Sequence, residues 1–359
     1  ALGKVTMAAT ASVGTTAISL TDLVLILDDT TFEGSLAIPQ GTNDVFLLEL
    51  NGDAINLDRY MAPVAEDVSD ETAVEEVPIE IPVDLLRLMN ARGSLNLAGA
   101  SLSGMQFEDI EVVLVLDDGK LRLHPFAATL FEGKYNGDIR IDASGNTPTL
   151  AVNENIVGVQ LGALAKAMFD QDNITGAING SFKLSGRGAD LAAVQRTLGG
   201  NISMELVDGT FEGTDIWYEL RKARALIRQE EPPEPELPAR TRFSDVNLSG
   251  PVSDGVFNND TLNAALPFMR LTGSGKVDFA AATVDYNVTA QVFDKPELVG
   301  DDATAEELKD LSKVRIPIRI TGPITAPSVR PDTQKVVEDA VRKEVEDVLK
   351  DKLKDLLDR

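Results

Sequence analysis

Apolar and polar residues alternate with a period of two through most of this chain, the pattern of strands with one oily and one wet face. In "NISMELV", Ile202, Met204 and Leu206 share one side, while Asn201, Ser203 and Glu205 share the other. "VRIPIRI" sets Val314, Ile316, Ile318 and Ile320 against Arg315, Pro317 and Arg319. "AINGSFKL" opposes Ile178, Phe182 and Leu184 to Asn179, Ser181 and Lys183, and "YNVTAQVF" lines up Tyr286, Val288, Ala290 and Val292. One-sided strands of this kind belong to antiparallel sheets. The segments Asp117-Asp118-Gly119, Asp208-Gly209, Asp254-Gly255 and Ser144-Gly145-Asn146 are predicted turns, since they supply the positive-φ residues of tight hairpins. The strands are therefore expected to meander, each beside its sequence neighbour.

A loose repeat runs through the pattern. Phe-Glu-Gly recurs at Phe32-Glu33-Gly34, Phe131-Glu132-Gly133 and Phe211-Glu212-Gly213, the first two after the acidic turns Asp28-Asp29 and Asp117-Asp118. The intervals are unequal, so the expectation is a recurring hairpin unit and not a strict solenoid. Helical spacing appears in Leu161 to Phe169, Ala189 to Leu198 and Thr214 to Arg228. In the last of these, Trp217 is expected to be a packing anchor. Pro82 to Asn90 is a further short helix, with Pro82 suited to its first turn.

Composition divides the chain into a β segment at 1–61, an acidic linker at 62–80 and a β segment with short helices at 81–228. A Pro/Glu linker at 229–240, a β segment at 241–331 and a helix at 332–359 follow. The first linker carries Glu66, Asp67, Asp70, Glu71, Glu75, Glu76 and Glu80 without a basic residue, and the second reads "QEEPPEPELP"; both resist compaction. Asp332 to Arg359 keeps Val337, Val341, Val345, Val348, Leu349, Leu353 and Leu356 at three- or four-residue spacing, an amphipathic helix. Its polar face mixes Lys and Arg with nearly as many acids, unlike a basic membrane-surface helix, so it is expected to pack on the sheet or on a partner.

The chain has 359 residues with formal net charge −25, from 58 acidic and 33 basic residues. That balance argues against nucleic acid as a partner and against an anionic membrane surface. There is no cysteine and one histidine, which removes disulfides, thiolate catalysis, His-paired nucleophiles and multi-histidine metal sites. His124, in "LRLHPF", is placed on the outer face of a strand without a catalytic role. No stretch approaches the ~20 apolar residues of a membrane span. The chain opens at Ala1 without a secretory signal, which suggests a trimmed piece lacking its natural N-terminal segment.

Candidate chemistry fails on inspection. "TGSGKV" at Thr272 to Val277 lacks the first glycine and the hydroxyl of a phosphate loop. "SGRGAD" lacks the third glycine of a dinucleotide loop. "DQDNITG" from Asp170 puts Ile174 and Thr175 where a calcium loop needs an oxygen and a glycine. Paired carboxylates for glycoside hydrolysis are not identifiable by spacing. No catalytic residue, metal or cofactor is expected; the chain is read as a binding or scaffold module and not an enzyme.

The stretch from Ile178 to Gly213 and on to Ile216, "INGSFKLSGRGADLAAVQRTLGGNISMELVDGTFEGTDI", resembles the C-terminal region of AsmA-type bacterial envelope proteins. The resemblance extends upstream through "DDGKLRLHPFAATLFEGKYNGDIRIDASGNTPTL" and downstream through "SGPVSDGVFNNDTLNAALPFMRLTGSGKVDFAAATVDYNV". "RIPIRITGPITAPSVRPD" near the end, and "TTFEGSLAIPQG" and "AINLDRYM" near the front, fit too. It implies a protein of the Gram-negative periplasm, tethered to the inner membrane by a helix absent here, related to TamB-type bridge-like lipid carriers and active in outer-membrane biogenesis.

Geometry leads to a compatible picture. About 18 strands at roughly 4.8 Å would make a sheet on the order of 85 Å long, and open sheets beyond about 10 strands curl or split. The expected fold is mainly β with short helices: a long curled antiparallel meander whose hydrophobic face forms a taco-like groove, plus the C-terminal amphipathic helix. With aromatics at 5% of residues, the lining would be aliphatic and suited to phospholipid acyl chains. Candidate lining residues are Ile178, Phe182, Leu184, Ile202, Met204, Leu206, Val314, Ile316, Ile318 and Ile320. A sheet-sandwich core would use the same positions, and alternation does not choose between the two. The alternative function is a lipid-free scaffold for outer-membrane protein assembly. Other envelope proteins are further candidate partners; the sequence does not give the oligomeric state.

Overall fold

The computed structural model describes residues 3–41, 45–60, 80–102, 104–213, 215–218, 221–222, 225, 229–235, 237–293, 315–325 and 327–331. Val314, Met61, residues 62–79 of the acidic linker and the helix expected at 332–359 lie outside them. The protein is mainly β, with a curled antiparallel sheet that is not closed into a barrel and a few short helices, as the alternation predicts. Its contacts divide the chain into two units, one of residues 1–207 and 250–257 and one of 208–249 and 258–359.

In the first unit ten strands follow one another: β1 (Val5–Val13), β2 (Ala17–Leu27), β3 (Thr30–Pro39), β4 (Val45–Asn56), β5 (Asn90–Leu102), β6 (Met105–Asp117), β7 (Lys120–Leu130), β8 (Gly133–Asp142), β9 (Thr149–Gln160) and β10 (Ile174–Arg187). Each pairs with the next, antiparallel at every step but one. β4 and β5 are parallel, with Leu48 opposite Gly93 and Gly52 opposite Leu97. Alternation is the same for both pairings and so does not disclose this step; the long 57–89 connection is what allows a parallel return.

The hairpin turns follow from residue chemistry. Between β6 and β7, Asp118 (φ 47°) and Gly119 (φ 77°) take the two left-handed positions of a two-residue hairpin loop. Asn90 Oδ1 accepts the Asp118 N–H at 3.0 Å. Asp208-Gly209, expected to be a turn, lies instead within β11 (Gly199–Glu212), where Asp208 has φ 47°: the left-handed residue kinks a continuing strand, as a bulge does.

Three helices are short. α1 (Val83–Leu88) starts after Pro82, which stands at the cap position and not inside the first turn. α2 (Leu161–Phe169) ends where Asp170 turns left-handed (φ 54°) and its N–H reaches the Lys166 carbonyl at 3.1 Å. α3 (Leu191–Arg196) is capped by the Asp190 carboxylate, which accepts the Ala193 N–H at 2.7 Å. It stops before Leu198 because the Thr197 hydroxyl donates to the Arg187 carbonyl at 2.7 Å.

The Phe-Glu-Gly repeat is not a structural repeat. Phe32 to Gly34 lies inside β3, Phe131-Glu132 forms the β7–β8 turn with both residues at positive φ, and Phe211-Glu212 ends β11. Three tripeptides in three backbone settings do not build one hairpin unit.

In the second unit, β14 (Met269–Asp278), β15 (Thr283–Val292), β16 (Arg315–Pro323) and β17 (Ser328–Pro331) form an antiparallel meander. β12 (Arg240–Ser253) and β13 (Val256–Ala265), like β11, carry residues of both units. Residues 216–218, 221–222 and 225 are helical. Residues 229–235 of the Pro/Glu run have neither helix nor strand.

Candidate functional site: the apolar face of the first unit

Registers between neighbouring strands place the apolar positions of β2 to β10 in rows that cross the sheet. One row runs Leu20, Leu36, Leu48, Gly93, Leu114, Leu123, Ile139, Val152, Leu184. None of its nine residues is fully buried and none is polar. The next row includes Leu50, Leu95, Val112, Phe126, Gly137, Glu154 and Phe182. A third passes through Leu25, Phe32, Gly52 and Leu97 to Ile110, and resumes at Ala128, Tyr135, Ile156 and Gly180.

Side chains level this surface. A Cβ on Gly52 would stand 2.7 Å from Leu97 Cδ2 and 2.9 Å from Phe32 Cδ1, so the missing side chain lets Phe32 and Leu97 meet across β4. Phe182 does the same over Gly180, its Cε2 lying 2.9 Å from where a Cβ would be. The resulting patch joins Phe32, Leu97, Ala100, Ile110 and Ala128 with half-buried neighbours on β2, β4, β5, β6, β7 and β8.

Helices cover the face at its two strand ends and leave its middle open. At one end Leu86 of α1 is buried with Ala91, Leu116 and Ala143. Arg87 locks the helix there, its Nε donating to the Ala143 carbonyl at 2.7 Å and its Nη2 to the Gly145 carbonyl at 2.6 Å. At the other end Ala165 of α2 is buried, as are Val159 and Ile178, which pair across β9 and β10. Between them lie nine strands, about 40 Å at ~4.8 Å spacing, and two partly exposed rows, about 7–13 Å wide at ~3.3 Å per residue, beside the buried third row of Phe32, Leu97, Ile110 and Ala128. Partly exposed aliphatic side chains over such a width are unusual on a closed monomer surface.

Two polar groups interrupt the oily face. Tyr135 lies edge-on to Phe126, ring centroids 5.2 Å apart, and its hydroxyl donates to the Glu154 carboxylate. Burial, more than any neighbour, raises the Glu154 pKa, and burial with the nearby carboxylate also raises that of Tyr135. The alternation in "TLAVNENIVG" already puts Glu154 in phase with Val152 and Ile156, a signal the sequence reading did not single out.

The opposite face mixes charged side chains with exposed apolar ones, Leu47, Val113 and Val115 among them. Asp138 is buried between Arg122 and Arg140, with contacts of 2.8 and 2.6 Å. Hydrogen bonds from Arg122 and then Arg140 hold its carboxyl well below the usual carboxylate range. His124 is exposed on this face, its Nδ1 3.4 Å from the Gly137 carbonyl.

The candidate lining residues fall in distinct settings. Phe182 and Leu184 are half-buried on the open rows, whereas Ile178 is buried beside Val159, opposite it on β9. Ile202 is buried, with Met204 and Leu206 half-buried. In the second unit Ile316 and Ile318 pack on a core of Leu266, Phe268, Met269, Ala290 and Val292. Trp217 stacks on Phe268 there at 5.1 Å, a packing anchor as expected. Ile320 is half-buried, opposite Tyr286. Among the described residues no group of three or more His, Asp or Glu converges as a metal site, and no helix is long and apolar enough to cross a membrane.

The chain is thus a mainly β protein built on one-sided strands with an aliphatic face. The chain belongs to the AsmA family, whose model matches residues 1–262. It is similar to Protein AsmA of Escherichia coli (strain K12), 21% identical over 320 residues that make up 85% of this chain and 51% of that protein. It thus spans about half the length of that relative. No solved structure is significantly similar to it.

Proposed function

We propose that the open face of the first unit binds phospholipid acyl chains, in a periplasmic part of an inner-membrane-tethered protein that supports lipid transport to, and biogenesis of, the outer membrane. The observation that carries this reading is the unbroken row from Leu20 to Leu184, aliphatic or glycine on nine consecutive strands. Acyl chains gain about 0.8 kcal/mol per methylene buried, and a face without fixed polar subsites lets them slide. Headgroups stay in water. No bond is made or broken in this reading, so the protein is a carrier and not an enzyme.

A second reading, a lipid-free scaffold for outer-membrane protein assembly, is favoured by β1. All nine of its residues are exposed and none is charged, the kind of strand that pairs with another chain.

Mass spectrometry of organic extracts from the purified chain separates the two. Co-purified phospholipid that falls severalfold in Val152→Glu supports the groove. Lipid-free protein that also takes up none from vesicles sinks it.

A further inference from the structure

Glu154 breaks the oily face at one place, and its surroundings describe what would sit there. A carboxyl on such a face costs free energy; leucine at 154 with phenylalanine at 135 would complete the stripe. The fold instead makes room for the acid. Gly137 is directly opposite it in register, so the surface beside the carboxyl carries no side chain. Tyr135 leans along its own strand over that gap, its hydroxyl 2.6 Å from where a Gly137 Cβ would be, and reaches Glu154. Phe126 and Phe182, the register neighbours of Gly137 and Glu154, flank the position on the same row. Among the described residues no lysine or arginine contributes to the carboxyl's environment. Tyr135 is the hydrogen-bonding neighbour that favours the charged carboxyl, and a carboxylate offers about four acceptor positions.

We propose that Glu154, oriented by Tyr135, binds the primary ammonium group of a zwitterionic amphiphile whose tails lie on the aliphatic rows. The inference rests on the lipid reading and names the headgroup class for it. An ammonium is a compact cation with three donors. It fills the open acceptor positions and neutralises the carboxylate, and the low dielectric that disfavours the lone charge strengthens the pair. A head bearing only negative charge is repelled from the same place.

The test offers the chain vesicles of equal phosphatidylethanolamine and phosphatidylglycerol and measures the ratio bound after separation. Wild type is expected to favour the amine-bearing lipid. Glu154→Gln is expected to lower that ratio about threefold to tenfold, the range of one charged hydrogen bond. An unchanged ratio in Glu154→Gln overturns the ammonium site and leaves the groove standing. A ratio kept in Glu154→Gln but lost in Glu154→Leu also overturns it, since a neutral acceptor then suffices. No uptake of either lipid by wild type overturns the lipid reading itself, and this site with it.

Discussion

Asp138 on β8 and Glu154 on β9 are acids on opposite faces of one sheet, and their surroundings push them in opposite directions. Two arginines stabilise the charge of Asp138, while burial penalises the charge of Glu154. Because the folded pKa of Glu154 is raised, the unfolded chain ionises this group at lower pH than the folded one. The stability it permits is fully present below the ordinary carboxylate pKa and is lost as the pH rises through the raised value. Glu154→Gln is therefore expected to melt above wild type at neutral pH, with the gap closing as the pH falls through the carboxylate range. Thermal unfolding across a pH series checks this, and a gap independent of pH would assign it to another cause. For Asp138 the sign is reversed: its depressed pKa adds stability above the unfolded value, lost only in strong acid. At this scale the sequence was partly legible. The phase that puts Glu154 in step with Val152 and Ile156 was present but not singled out, and Tyr135 leaning along its strand is a rotamer that leaves no periodic trace.

Among elements, α1 is six residues long, too short to be stable alone; it is held by Leu86 and the two Arg87 hydrogen bonds. Leu86→Ala is expected to cost about 2–4 kcal/mol, measured by urea denaturation, and to open a tryptic site at Arg87 at native pH. A loss under about 1 kcal/mol would mean the site collapses freely or the helix does not seal this end. β1 lies at the opposite extreme from the buried centre. With nine exposed residues, Val13 76% exposed among them, its amides are expected to exchange with deuterium orders of magnitude faster than those of β5 and β6. Mass-resolved exchange settles this; equal protection would require something covering β1. Alternation disclosed the strands and helical spacing disclosed α2 to the residue. The bulges were hidden, because each flips the phase partway along a strand and leaves only a short alternating run on either side: Asp22 (φ 48°) and Gly158 (φ 69°) sit where the registers of β1–β2 and β9–β10 slip.

For the whole molecule, charge and sheet act together. A net charge of −25 sets the surface against anionic bilayers, while the proposed cargo has to come from one. Uptake from phosphatidylglycerol vesicles is expected to quicken with added salt, as the screening length falls from about 10 Å at 0.1 M to about 3 Å at 1 M. Stopped-flow transfer of a fluorescent lipid reports it, and slowing with salt would place a basic docking site on the protein. The fold class followed from one-sided strands and hairpin turns. An open face could not be told from a sandwich core, because both use the same alternation; what separates them is cover, a property of distant segments. Leu123 and Ile316 show this, both half-buried, one on a bare row and one under a packed cluster.

The parallel step between β4 and β5 also bears on how the chain acquires its shape. Every antiparallel joint beside it closes a short loop, whereas this one must bring together ends separated by 57–89. Loop-closure entropy grows as (3/2)RT ln n, so the joint costs about 2 kcal/mol more than a three-residue turn. β1 to β4 and β5 to β10 thus zip as two local arrays, and the seam between them is the last to form. Until it closes, β4 and β5 are raw sheet edges, and a nascent chain carries its greatest risk of sticking to a neighbour at that seam.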